Sequence, residues 1–492
     1  MESQTIHIIQ LLCGPTLRAI GVPLSGPIIS MYLMVLKERK SYSPINAAAV
    51  IENFIEVTLK KTDNPVVYLG DYDYKDQLKI LSVISMHFCK NNLSSIKYDE
   101  LYALIKDYYN KIGIKRNAAD VIEHFLSKPI LERIEDDIYF RYKVFYSYLI
   151  AVSMSDSEFK EHVFHVDNIN KFISELDIYF GMNRNDLKAL HSIEKIYNDL
   201  KAEVIAQFGS YVSNDEKEIF DLPRAKDADE FMEKLYSNFT EEVSNNEDDN
   251  RDNAVDNSSH RSSRFAQDFR KPEIIDPLFK WVQVLACYSV CIKNSSEFDK
   301  EEKARHTANI LDGWGMISIL AYKVVGLLIN DGSVKIGSYE FNVGAIRSND
   351  PRALRQIVAN VPRIVSQFAR MYLASDKLEA ILKDSKTKSF PEFLRVSLLV
   401  DMRAQSYLKE ISDFRKDQSG KYSLLEAFMW KMRDSFLRFG LNKSEVDAFR
   451  QQVAELNADI LALKGERRAT AVSQTSRRLE QQRLTQRAKN QS

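Results

Sequence analysis

Glycine and proline are scarce in this chain, and this scarcity limits its fold more than any other feature. Only 16 of the 492 residues are glycine and 12 are proline, whereas an all-β protein needs turn formers about every 8–12 residues. Apolar residues instead recur at intervals of three and four positions over long segments, which is the pattern of amphipathic helices. The sequence therefore predicts a mainly α protein.

The composition is that of a globular chain of about two to four domains. Hydrophobic residues make up 45% of it, so a large core can form without disulfide or metal crosslinks. The longest apolar stretch, residues 313–329, contains Lys323 and predicts a buried helix rather than a membrane span. Four cysteines fit a reduced compartment, and we predict a cytoplasmic protein. They are Cys13, Cys89, Cys287 and Cys291.

Residues 71–154 carry the order of elements found in winged-helix domains. The pattern predicts helices over 74–90, 98–112 and 118–127, then a β-hairpin over 130–142, in which apolar and polar residues alternate around an acidic turn. An aromatic-rich helix over 143–154 follows. The third helix carries Asp120 and Glu123, which would repel DNA phosphates, so a winged helix that packs against protein is preferred to one that binds DNA.

The rest of the chain is divided mainly by composition. Residues 240–263 have few large apolar side chains and cannot offset their chain entropy by burial, which predicts disorder. We therefore predict six segments: 1–70, a helical subdomain; 71–154, the winged-helix domain; 155–238, a helical region; 239–270, a disordered acidic and polar linker; 271–442, a helical domain, either solenoid-like or not; and 443–492, an amphipathic helix with a basic tail rich in Gln and Arg.

The sequence contains no familiar catalytic motif. The phosphate-binding loop G-x-x-x-x-G-K-[ST], the nucleophile elbow G-x-S-x-G and the zinc motif H-E-x-x-H are all absent. Three local clusters, two of which have the ligand types of a metal site and one of which is a group of carboxylates, have a functional interpretation and a structural one, and we prefer the structural one for each. The clusters are Cys287 with Cys291, His162 with His165, and the hairpin-turn carboxylates Glu135, Asp136 and Asp137. We predict no catalytic residue, no metal and no cofactor for the chain alone.

Three segments resemble the region that follows the nucleotide-binding core of STAND-class signalling NTPases, which are related to NACHT and apoptotic ATPases. Gly21–Val22–Pro23 resembles the family's G-x-P motif, and SPINAAAVIENFIEVTLKK over 43–61 resembles the helix after it. YFRYKVFYSYLIAVSM over 139–154 resembles the aromatic end of the family's winged helix. The resemblance implies that Gly21 and Pro23 lie near a bound adenine, and that a helical C-terminal region senses a trigger, in bacterial members often a viral component.

The segments that would form the phosphate-binding core in that family are not found in this sequence. The resemblance therefore predicts that the chain is a non-catalytic regulatory or sensor portion of such an NTPase. Its partner would be another protein or the missing NTPase or effector half, and the oligomeric state is left open. The alternative is a winged-helix regulator that binds nucleic acid. The basic tail is expected to fray in solvent, but it could also contact nucleic acid or pair with a partner helix. Its candidate nucleic-acid contacts are Arg467, Arg468, Arg477 and Arg478.

Overall fold

The computed structural model describes most of the chain, and its contacts group into two units. The described residues are 29–30, 32–35, 47–60, 74–128, 130–208, 277–331, 333–336, 339–342, 351–419, 421–438, 443–461 and 465–489. The first unit comprises Met1–Ile193, Thr240–Asp276 and Asn294–Glu297, and the second comprises Glu194–Phe239, Pro277–Lys293 and Phe298–Ser492. Gly21, Pro23 and the predicted disordered linker lie outside the described residues, and the six predicted segments stay a prediction.

The described part of the first unit is helical apart from one small sheet. Its elements are α1 (Ala47–Lys60), α2 (Tyr74–Lys90), β1 (Ile96–Lys97), α3 (Tyr98–Ile112), α4 (Ala118–Ser127), β2 (Leu131–Ile134), β3 (Asp137–Phe140), α5 (Lys143–Ser153), α6 (Ser157–Val163), α7 (Ile173–Met182) and the start of α8 (Leu187–Phe208). The antiparallel sheet has the order β1-β3-β2. Helix α5 packs against α2 and α7.

Local chemistry sets the element boundaries between α3 and β3. Gly113 ends α3 in the left-handed conformation at φ +71°, which costs a glycine little because it has no Cβ. The Asn117 side chain caps α4 by accepting a hydrogen bond from the Ala119 amide at 3.1 Å. Glu135 occupies the turn between β2 and β3 at φ +56°. The helices and the hairpin predicted between residues 74 and 154 are thus present.

The core of the first unit is built largely from aromatic side chains. Phe88 of α2 meets Phe140 of β3 edge to face, with ring centroids 5.3 Å apart. Phe145 of α5 stacks on Phe54 of α1 at 5.5 Å. All four rings are buried, and such pairs add about 0.5–1.5 kcal/mol beyond the area they bury. The aromatic residues at the start of α5 therefore join the sheet, α1 and α2 into one core.

The second unit consists of longer helices and one hairpin. Its elements after α8 are α9 (Pro277–Asn294), α10 (Lys300–Asp331), β4 (Ser333–Ile336), β5 (Tyr339–Asn342), α11 (Pro351–Leu373), α12 (Glu379–Asp384), α13 (Ser389–Asp401), α14 (Tyr407–Asp417), α15 (Tyr422–Arg438), α16 (Lys443–Ile460) and α17 (Gly465–Lys489). Helix α10 packs against α11 and α13, and α16 packs against α15 and α17. The mainly helical fold is confirmed.

Two segments whose apolar periodicity predicts one helix each are divided in the structure. Periodicity predicts a helix over 351–382, but α11 ends at Leu373, and a short 3₁₀ turn and α12 follow it. Periodicity also predicts a helix over 391–414, but this segment is split into α13 and α14, with Arg403 at φ +54° in the turn between them. Both halves keep an apolar face toward the core, so the periodicity gave no sign of the break. No helix among the described residues is both long enough and apolar enough to cross a membrane.

Candidate functional site

The predicted adenine contacts cannot be placed, because Gly21 and Pro23 lie outside the described residues. The other predicted clusters can. Cys287 and Cys291 are thiols that lie fully buried in α9, which agrees with the packing interpretation. His162 contacts Asn168, and His165 lies beside Asp167.

The surface of α4 and of the β2–β3 hairpin is acidic. Asp120 and Glu123 are exposed on α4. At the hairpin turn, Asp136 pairs with Arg133 at 3.4 Å, and Asp137 accepts a hydrogen bond from Lys97 at 2.8 Å. The turn carboxylates are thus used in local ion pairs. A surface of this sign does not attract a nucleic-acid backbone.

The interior of the same unit holds two buried polar contacts. His124 Nε2 of α4 lies 3.0 Å from Gln77 Oε1 of α2, and burial lowers the pKa of this histidine. Ser147 of α5 donates a 2.9 Å hydrogen bond to the buried Glu175 of α7. Each contact joins two helices across the core, so both have a structural role.

A denser polar cluster lies in the second unit around His306 of α10, which is fully buried. Tyr288 of α9 hydrogen-bonds to His306 Nδ1, and Glu302 lies 3.1 Å from Nε2. Burial lowers the pKa of His306, and the charge of Glu194 opposes that shift. Burial also raises the pKa of Tyr288, so its hydroxyl stays protonated beside the ring. We call these four residues, together with Arg305, the His306 cluster.

The His306 cluster has the residue types of a zinc site, but its carboxylates already have a cation. Arg305 donates hydrogen bonds to both Glu194 and Glu302. A metal ion would have to displace this guanidinium, which binds a carboxylate through two parallel bonds. The spacing of Glu302, Arg305 and His306 on one helix was visible in the sequence. Tyr288 and Glu194 come from other helices, and no local pattern connects them to it.

A second buried ionic group lies between α13 and α14. Arg395 is 1% exposed, and its guanidinium donates to Glu392 at 2.6 and 2.8 Å and to Glu410 at 2.6 Å. It also donates to the Leu382 carbonyl at 2.7 Å. Burial opposes the charge of Arg395, but the two glutamates raise its pKa. Each of these hydrogen bonds is made to a protein group.

The basic C-terminal segment is a helix and not a frayed end. Helix α17 buries Leu479 completely, and Asn457 of α16 donates to its buried Thr475 at 2.9 Å. The guanidinium of Arg483 lies 5.4 Å from the Phe436 ring centroid of α15. Helix α17 thus packs against α15 and α16 of the same chain. The sequence did not predict this packing, because the residues of the buried face recur only every four positions among arginines and glutamines.

The four tail arginines fall into two classes. Arg468 is half-buried and pairs with Asp459 of α16 at 2.5 Å. Arg467, Arg477 and Arg478 are exposed and form no ion pair within the described residues. The structure therefore separates three arginines that are open to an external anion from one that holds α17 on α16.

An open groove of about 760 Å³ runs between α16 and α17. Its lining is mostly polar and includes Gln451, Glu455, Arg468, Ser473 and Arg477. Arg415 bonds to Glu455 and holds the pKa of that carboxyl below its usual range, although burial opposes the shift. With its carboxylate paired in this way, the groove has no group poised for acid–base chemistry.

These features define a mainly helical protein. In its first unit, six elements follow one another in the order helix, strand, helix, helix, strand, strand, and the three strands form one small sheet. Residues 94–150 match the family model Novel STAND NTPase 4. The match begins just before β1 and ends within α5, and it supports the relation to STAND-class NTPases. No curated protein and no solved structure matches the chain.

Proposed function

We propose that the chain is a non-catalytic regulatory portion of a STAND-type signalling NTPase. In this proposal residues 71–154 form a winged helix that packs against a protein surface, and the second unit recognises a trigger. The observation that carries the proposal is the family match over residues 94–150, which falls on β1 through α5. The resemblance of 139–154 to the family's aromatic ending falls on β3 and α5.

The surface charge supports a protein partner for the winged helix over a nucleic acid. In the nucleic-acid mode of this fold, the third helix enters the major groove and its side chains must lie close to phosphates. The exposed Asp120 and Glu123 are on α4, which holds that position in the order of elements. Each carboxylate would oppose the approach, so the alternative of a winged-helix DNA-binding regulator is the weaker one.

The buried ionic groups support a regulatory role over catalysis. The His306 cluster and the Arg395 group bring together the side chains that enzymes use, but in both groups protein partners satisfy them. Neither group lines the groove between α16 and α17. We propose that residues 1–492 by themselves do not hydrolyse ATP, and that the phosphate-binding loop is supplied by another polypeptide segment.

Two measurements test the proposal. The first is phosphate release from ATP with purified residues 1–492 and Mg²⁺; we expect none above the buffer rate, and steady turnover would refute the non-catalytic role. For the second, the DNA next to the reading frame is translated and searched for a polypeptide with a phosphate-binding loop. The ATPase rate of that polypeptide is then measured alone and in the presence of residues 1–492. We expect the chain to change that rate several-fold, and an unchanged rate would refute the regulatory role.

A further inference from the structure

The solvent face of α17 carries a stripe of arginine, glutamine and threonine side chains without a carboxylate. At 100° per residue, seven exposed residues fall within about 100° of arc opposite the buried face. They are Arg467, Thr470, Gln474, Arg477, Arg478, Gln481 and Thr485. We call them the α17 stripe. Because a helix rises about 1.5 Å per residue, the stripe is about 27 Å long.

Two of the acidic residues around the α17 stripe are already neutralised by other arginines, and the exposed Glu466 lies just outside the arc of the stripe. Asp459 pairs with Arg468 at 2.5 Å, and Arg415 lies 3.2 Å from the same carboxylate. On α17 itself, Glu480 pairs with Arg450 at 2.6 Å. The positive charge of Arg467, Arg477 and Arg478 is therefore left over on the surface, although the whole chain has a net charge of −1.

We propose that the α17 stripe binds the phosphate backbone of duplex DNA without reading its sequence. This inference rests on the proposed recognition role of the second unit and names its ligand. Arginine guanidinium groups bind phosphate oxygens with two bonds, and the side-chain amides of Gln474 and Gln481 supply further neutral donors. Contacts of this kind position a protein on DNA but do not distinguish bases.

The composition of the stripe favours a duplex over a single strand or an acidic protein. Proteins that bind single strands stack bases on aromatic side chains, and no Phe, Tyr or Trp occurs from Gly465 to the last residue. Protein interfaces need buried apolar anchors, and the seven residues of the stripe include none. Double-stranded DNA offers about one phosphate per 3.4 Å along each strand, so roughly eight lie within the length of the stripe.

The test is titration of a fluorescent 20-base-pair DNA duplex with purified residues 1–492. Binding is followed by fluorescence anisotropy at 50 and 200 mM salt, in the absence of ATP. Three phosphate contacts predict that affinity falls about 40-fold between the two salt concentrations. The triple variant R467Q/R477Q/R478Q should bind at least 10-fold more weakly at 50 mM salt and lose most of this salt dependence. The control K386Q/K388Q/K409Q removes the same charge from exposed lysines of the same unit and should bind as the wild type does.

Three results would overturn the proposal. The first is no saturable binding to the duplex at 50 mM salt. The second is an equal loss for the control variant, which would show attraction to net charge rather than to the stripe. The third is tighter binding to a single strand or to polyglutamate than to the duplex. Because the assay contains no ATP and no second polypeptide, its failure is distinguishable from failure of the proposed regulatory function, which the two ATPase measurements test.

Discussion

Replacing the buried Arg395 with methionine should destabilise the second unit far more than the loss of an ordinary ion pair. The side chains of Glu392 and Glu410 are only 6% and 9% exposed. In R395M both would stay buried next to each other without a cation, and the Leu382 carbonyl would lose its donor. Removing one partner from a buried ionic group typically costs about 3–5 kcal/mol. We expect R395M to lower the free energy of unfolding by that amount at pH 7.

Urea unfolding followed by tryptophan fluorescence measures this loss in the right part of the chain. The three tryptophans, Trp281, Trp314 and Trp430, all belong to the second unit, so their emission reports on that unit without interference from the first. The midpoint of R395M should fall strongly while the slope stays constant.

Two further variants separate charge burial from lost packing. R395M/E392Q/E410Q removes all three charges and should recover at least half of the stability that R395M loses, since the cost lies in unpaired buried charge. K300M removes one member of the exposed pair Lys300–Asp384, in which both side chains are 60% exposed, and should leave the midpoint unchanged. An R395M variant within about 1 kcal/mol of the wild type, or a triple variant no better than R395M, would refute this account of the buried group.

Two other predictions use the same fluorescence assay. A Cβ on Gly315 would lie 2.7 Å from Pro391 Cγ, and the proline ring cannot rotate away. G315A should therefore destabilise the unit by about 1–2 kcal/mol, because overpacking outweighs the gain of about 1 kcal/mol in helix propensity. A raised midpoint of G315A would contradict this. Burial lowers the pKa of His306, so at acidic pH the unfolded chain binds a proton that the folded chain excludes. The free energy of unfolding should therefore fall by up to about 1.4 kcal/mol as the pH drops from 7.5 to 5.5. His306 is the only histidine in the sequence of the second unit, so H306Q should flatten this dependence, and an equally steep fall in H306Q would assign it to other groups.

Most of the fold could be predicted where signals are local. The Asn117 cap, the alternation along 130–142 and the apolar periodicity of 74–90 each act within a few residues, and each gave the right element. The breaks after Leu373 and at Arg403 could not be predicted, because a helix that stops and restarts with the same buried face keeps its periodicity. Tertiary packing decides such breaks, and packing is not visible in a short sequence window.

The same limit applies to the candidate sites, and α17 shows why. From the sequence, four arginines at 467, 468, 477 and 478 are equivalent basic residues in a segment rich in glutamine. The structure makes them different, because Leu479 and Thr475 fix which face of the helix is buried, and of the four arginines only Arg468 then pairs with Asp459. Charge patterns in a sequence predict how much positive charge a segment has. Only the packing of its few apolar residues decides which of those charges remain available to a partner, and for α17 that selection leaves three arginines on one side of the helix.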